Sequence, residues 1–148
     1  MTVERSLHPV PGIVGVGIDA VDVARFASVL ERRPALAGRV FTPSEQADAA
    51  RSAHPAERLA ARFAAKEAVM KALGRGMGSF ALRDVEVVRS AAPGSQGGAP
   101  SLRLSAGAAR LAEEFEVGRW HVSLSHTASV AMAVVVAERW PADAGVPH

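Results

Sequence analysis

The chain has 148 residues, a formal net charge of +2, no cysteine and 5% aromatics without a tyrosine. Length points to one domain, 1–148. The composition excludes disulfides and cysteine nucleophiles and offers few stacking surfaces for nucleic acid. No apolar run reaches membrane-spanning length and no secretory leader is evident, so the expectation is a cytoplasmic protein that engages no membrane and no nucleic acid. Only Lys66 and Lys71 are lysines among the 17 basic residues. Arginine's rigid fork suits an acidic or phosphorylated partner.

In chain order, residues 1–12 read as a flexible arm. A buried strand is predicted over 13–18, where Gly15 and Gly17 mark close backbone approach. It ends at Asp19. A helix follows over 21–33, with Val23, Phe26, Ala27 and Leu30 on its apolar face and Arg25 and Arg32 opposite. Thr42-Pro43-Ser44-Glu45 carries a helix start. A long helix is predicted over 56–73, stopped by Gly74 and a loop containing Gly76 and Gly78. Strands over 85–89 and 102–105 flank a flexible loop at 91–101, and a helix follows over 106–116. The last strands, 120–125 and 130–137, lead to a flexible tail from residue 141. The order predicts an α+β fold, helices packed on one small antiparallel sheet.

The long helix carries two charges where apolar residues are expected. Leu59, Phe63, Met70 and Leu73 form a stripe; Lys66 falls inside it and Glu67 at its edge. The far side, Ala61, Ala65, Ala68 and Ala72, lets another element approach closely. Glu67 and Lys71 have the spacing to meet on the helix surface, either as a solubilising pair or as part of a site. Asp19 is open to two readings, a helix cap or a ligand. Together, Asp19 and Glu67 match the one or two carboxylates that magnesium takes, with Lys71 and the glycine loop near the same phosphates. Gly12, Gly15 and Gly17 have the wrong spacing for a dinucleotide fingerprint, and the loop from Gly74 to Ser79 lacks the ending of a P-loop.

Three segments, Gly15–Phe26, Arg62–Gly74 and Trp120–His126, resemble the holo-acyl-carrier-protein synthases, small phosphopantetheinyl transferases. The resemblance spans about residues 13–138. It implies transfer of the 4'-phosphopantetheine arm from coenzyme A to a serine of an apo acyl carrier protein, for fatty-acid biosynthesis or, alternatively, for polyketide or other secondary-metabolite carriers. It implies a phosphopantetheinyl transferase-like fold and a homotrimer with active sites between subunits. Asp19 and Glu67 would hold Mg2+, and Lys71 would steady the leaving phosphate. Arg62, Lys71, Gly74 and His121 would serve coenzyme A, with Arg62 and His121 at its nucleotide end. The base is open between a carboxylate and a metal-bound water.

Arg25 and Arg32 offer a docking face for an acidic carrier. His121 alternates with Ser123 and Ser125 on one face of its strand, away from Trp120, Val122 and Leu124. A shared site leaves room for Asp19 and Lys71 to come from different subunits. Departures from the family pattern are Ala99, where a lysine is common, the longer 91–101 loop and the lack of an aromatic near Val130.

Overall fold

The computed structural model describes residues 12–76, 78–89 and 98–139. The expected tail, most of the arm and most of the 91–101 loop lie outside the described residues. The elements are β1 (Gly12–Asp22), α1 (Val23–Arg32), α2 (Ala35–Val40), α3 (Pro43–Ala50), α4 (Pro55–Ala72), a 3-10 turn (Leu82–Asp84), β2 (Val85–Arg89), β3 (Pro100–Leu104), α5 (Ala106–Glu114), β4 (Val117–His126) and β5 (Val130–Arg139). The fold is α+β as expected, but the strands form two antiparallel sheets, β1-β5-β4 and β2-β3. Among the described residues no helix is long and apolar enough to cross a membrane.

The defining contact is α4 against β1 and β5. Strand alternation sends Gly15, Gly17 and Asp19 toward the helix. A Cβ on Gly15 would lie 1.7 Å from the Ala72 carbonyl oxygen, and one on Gly17 1.8 Å from that of Ala68. Only glycine permits this approach. On β5 the inward residues Ala131, Ala133, Val135 and Ala137 are buried, again mostly small. The expected small-residue side of the helix is therefore what seats it on the sheet.

The outer face of β1 differs from expectation. Val16 is 57% and Ile18 59% exposed; the strand is buried on one side only. A continuous apolar run suggested burial on both sides, but among the described residues no second layer covers the three-stranded sheet. Val16 lies opposite Val136, and Ile18 opposite Val134.

Helix ends follow local chemistry. Thr42 and Glu45 close the expected capping box, with Glu45 N–H donating to Thr42 Oγ1 at 3.2 Å and Thr42 N–H to Glu45 Oε2 at 2.9 Å. At the end of α4, Gly74 (φ +64°) is left-handed. Its N–H donates to the Lys71 carbonyl and that of Arg75 to the Met70 carbonyl, both at 3.0 Å. This is a two-bond C-terminal cap that requires the glycine.

Candidate active site

β1 continues three residues past Asp19, so Asp19 lies within the strand rather than after it. The cap of α1 is Asp22, whose carboxylate accepts from the Arg25 N–H at 2.8 Å. Asp19 is thereby released from the capping role. It faces α4, where Lys71 Nζ donates to Asp19 Oδ1 at 3.0 Å and to the Ile18 carbonyl at 2.9 Å. Lys71 thus pairs with Asp19 across elements, not with Glu67 one turn away. The reason is geometric: Gly17 draws β1 against the helix at Ala68, which brings the next inward residue of the strand within the lysine's reach. Asp19 and Lys71 therefore meet within one chain and need no second subunit to come together.

Glu67 stands beside them. Burial pushes its carboxyl above the ordinary glutamate range, the Asp19 carboxylate adds to the rise, and Lys71 works against it. Glu67 Oε1 is buried and has no hydrogen-bond partner. Two carboxylates side by side, one with an orphaned oxygen, hold a proton or a cation more readily than they hold two free charges. Among the described residues no cluster of three or more histidines or carboxylates occurs. Two protein carboxylates fit magnesium, which commonly fills its remaining positions with water and substrate phosphates.

The two carboxylates open onto a cavity of about 590 Å3, lined also by Asp22, Arg25, Phe26 and Val29. Its apolar wall is anchored by ring packing. Phe26 meets Phe63 at 5.1 Å between centroids and Phe41 edge-on at 6.1 Å. Arg25 and Arg32 are both exposed on α1, as expected. Arg25 lines this cavity, while Arg32 borders a neighbouring hollow with Val29 and Arg33.

The remaining expected residues do not converge on this pair within one chain. Arg62 is 2% exposed and faces α3, where it pairs with Asp48; on its own helix it donates to the Arg58 carbonyl at 3.2 Å. Gly74 is exposed at the helix end. His121 lies on the outer face of the sheet, exposed along with Ser123 and Ser125 as the alternation predicted, while Asp19 faces the other way. Its Nε2 is 2.8 Å from Glu138 Oε2.

Three partners went unseen in the sequence: Glu45, Asp48 and Glu138. Glu45 is the clearest. Beyond its cap bond, it takes Lys66 Nζ on Oε2 at 2.9 Å and the Val87 N–H on Oε1 at 2.9 Å. Lys66, wholly buried, also donates to the carbonyls of Leu82 (3.2 Å) and Val85. Burial lowers the Lys66 ammonium's pKa and Glu45 opposes the change. The misplaced charge in the apolar stripe is therefore a satisfied strut joining α3, α4 and β2. Only the capping-box pattern marked Glu45, and that pattern concerns its own helix.

Residues 15–135 match the family described as the 4'-phosphopantetheinyl transferase superfamily. The chain is 50% identical over 126 residues to the holo-[acyl-carrier-protein] synthase of Frankia alni, covering 85% of this chain and 98% of that protein. The crystal structure of holo-[acyl-carrier-protein] synthase from Neisseria meningitidis superposes with a TM-score of 0.76 at 32% identity, over 86% of this chain and 100% of that one. That of the Bacillus anthracis holo-(acyl-carrier-protein) synthase in complex with CoA (3',5'-ADP) gives 0.68 at 33% identity, over 86% and 98%.

Proposed function

Because the chain belongs to the 4'-phosphopantetheinyl transferase superfamily, we propose that it moves the 4'-phosphopantetheine arm of coenzyme A onto a serine of an apo acyl carrier protein. The serine hydroxyl gives its proton to a base and its oxygen bonds to the phosphorus that bears the arm; the bond from that phosphorus to the bridging oxygen of the pyrophosphate breaks, and adenosine 3',5'-bisphosphate leaves with that oxygen. The observation that carries this reading is the Asp19–Glu67 pair at the mouth of the cavity, with one Glu67 oxygen buried and unpartnered.

Asp19 and Glu67 are the residues that would hold Mg2+. When bound, the ion supplies charge neutralisation at the pyrophosphate. Asp19 also fixes Lys71. An ammonium has three donors; two go to Asp19 and the Ile18 carbonyl, which leaves one for a phosphate oxygen of the leaving group. Phe26, Val29 and Phe63 form an apolar wall of the cavity that the carboxylates line. Arg25, at the rim of the same cavity, and Arg32, further along the same exposed face of α1, bind the acidic carrier and bring its serine over the carboxylates.

Gly74, Arg62 and His121 serve coenzyme A in this reading, with Arg62 and His121 toward the nucleotide. His121 lies on the face of the sheet away from Asp19, so its part is played in a site completed by another copy of the chain. The exposed Val16, Ile18, Met132 and Val134 on that face support self-association, here as a homotrimer. The reaction is taken to run in the cytoplasm. Sedimentation at micromolar concentration tests the assembly: a trimer is expected, and a stable monomer contradicts it.

The test of the function is the intact mass of several apo carriers, of fatty-acid and of polyketide type, incubated with the protein, coenzyme A and magnesium. A gain of one phosphopantetheine is expected on at least one. Unchanged masses on all, with coenzyme A binding retained, would leave a binding module instead of an enzyme.

A further inference from the structure

The cavity wall rests on a ring that does not itself line the cavity. Phe41 joins α2 to α3 and is wholly buried. Its backbone is tied on both sides: its N–H donates to the Ala37 carbonyl at 2.9 Å, and its carbonyl accepts from Gln46 Nε2 at 3.2 Å. The Lys66 ammonium stands over the ring, 5.5 Å from its centroid, within the range at which an aromatic face attracts a cation. The ring also meets Phe26 at 6.1 Å and 88°, the edge-on geometry that aromatic pairs favour. Phe26 in turn meets Phe63 at 5.1 Å. Phe63 and Lys66 lie one turn apart on α4, so Lys66, Phe41, Phe26 and Phe63 form a closed circuit of contacts between α1 and α4.

Phe26 directly follows Arg25 on α1, and both line the cavity. Asp19, Glu67 and Lys71 are held differently, by the close approach of β1 to α4 at Gly17 and by the Lys71 bonds to Asp19 and the Ile18 carbonyl. The two sides of the site thus have separate supports. We propose that Phe41 is a positioning residue for the carrier side: seated against the Lys66 ammonium, it props Phe26 and so sets where the cavity wall and Arg25 stand. A smaller residue lets α1 settle toward α4, which moves the docking side and leaves the carboxylates in place. The inference rests on the assignment of Arg25 to carrier docking.

Two measurements test it, and the first needs no carrier. Methyl NMR of the full chain, labelled at alanine, leucine and valine and assigned by single substitutions, reads Val29 and Leu36 in the cavity wall and Ala68 and Ala72 at the strand–helix contact. Phe41→Leu keeps the cluster apolar but removes the ring. It is expected to shift the Val29 and Leu36 methyls and leave those of Ala68 and Ala72 in place, with larger shifts of the same pattern in Phe41→Val. Unchanged Val29 and Leu36 methyls, or equal shifts at all four residues, overturn the positioning role, whatever the activity.

The second is steady-state transfer. Phe41→Leu is expected to raise KM for the carrier about fivefold, with KM for coenzyme A and kcat held within about twofold. The rise is expected to shrink in an Arg25→Ala background. Leu111→Ala, on α5 and in the other core cluster, controls for lost stability: at a matched fall in Tm it is expected to leave both KM values unchanged. Equal rises in both KM values, or as large a rise for the carrier in Leu111→Ala, would show that Phe41 acts only through the fold and overturn the proposal. Shifted Val29 and Leu36 methyls with an unchanged carrier KM would overturn it as well. A wild type that modifies no carrier contradicts the transfer reading instead, and the methyl spectra still decide whether Phe41 sets the wall.

Discussion

Gly17→Ala tests whether the seating of α4 sets the site. The new Cβ would fall 1.8 Å from the Ala68 carbonyl oxygen and 2.9 Å from the Ala72 nitrogen. Both are backbone, so no side chain can swing aside. Restoring an ordinary contact near 3.4 Å requires strand and helix to separate by roughly 1.6 Å at that point. Asp19 is two residues along β1 and Glu67 immediately precedes Ala68, so the separation falls directly on the carboxylate pair. Overpacking of this kind costs about 1–3 kcal/mol or more, a fall in Tm of roughly 2–12 °C for a chain of this size. A displacement near 1 Å costs about a hundredfold in rate. Thermal denaturation and kcat/KM for transfer measure both. Gly38→Ala in α2 is the control, because a Cβ there meets nothing within 4 Å. A Gly17→Ala protein that is folded and transfers at the wild-type rate would refute the claim that this contact sets the Asp19–Glu67 geometry.

Lys66→Met leaves Glu45 buried without its cation, and a loss of about 3–5 kcal/mol is expected in urea unfolding; a loss below about 1 kcal/mol would mean the strut carries little. Glu67→Gln is expected to lower turnover by roughly a hundredfold or more, yet to raise the Tm of the metal-free protein at neutral pH. The sign follows from the raised Glu67 pKa: its favourable contribution is present below the ordinary value of 4.5 and is lost as pH rises through the folded value. The Tm gap between variant and wild type should therefore close as pH falls toward the ordinary glutamate range, and a variant less stable than wild type at neutral pH would contradict it. Arg25→Glu is expected to raise KM for the carrier about tenfold while KM for coenzyme A stays unchanged; equal changes in both would remove Arg25 from the docking face.

Local signals in the sequence carried far because local chemistry decides them. The capping box at Thr42, the stop at Gly74 and the alternation around His121 each depend on a few adjacent residues, and each appears as expected. Gly15 and Gly17 already implied a close neighbour, and the alanines of α4 already implied a helix face able to approach. What spacing could not supply was which distant groups meet. Lys71 has Glu67 at helical spacing but takes Asp19, 52 positions away, because the glycine–alanine contact carries β1 to it. Lys66 takes Glu45, 21 positions away, across an interface that no periodicity describes. The split into two sheets and the open face of β1 were hidden for the same reason. A continuous apolar run reads as burial on both sides, whether the second layer comes from the same chain or from another copy.

The most direct test of the central claim is the metal requirement of transfer, read by the intact mass of an apo acyl carrier protein. The account predicts that wild type adds one phosphopantetheine in magnesium, adds none in EDTA, and recovers when magnesium is restored, while Asp19→Asn and Glu67→Gln remain folded and inactive throughout. Full transfer in EDTA, or wild-type transfer by either variant, would contradict the assignment of Asp19 and Glu67 as the carboxylates that hold the ion.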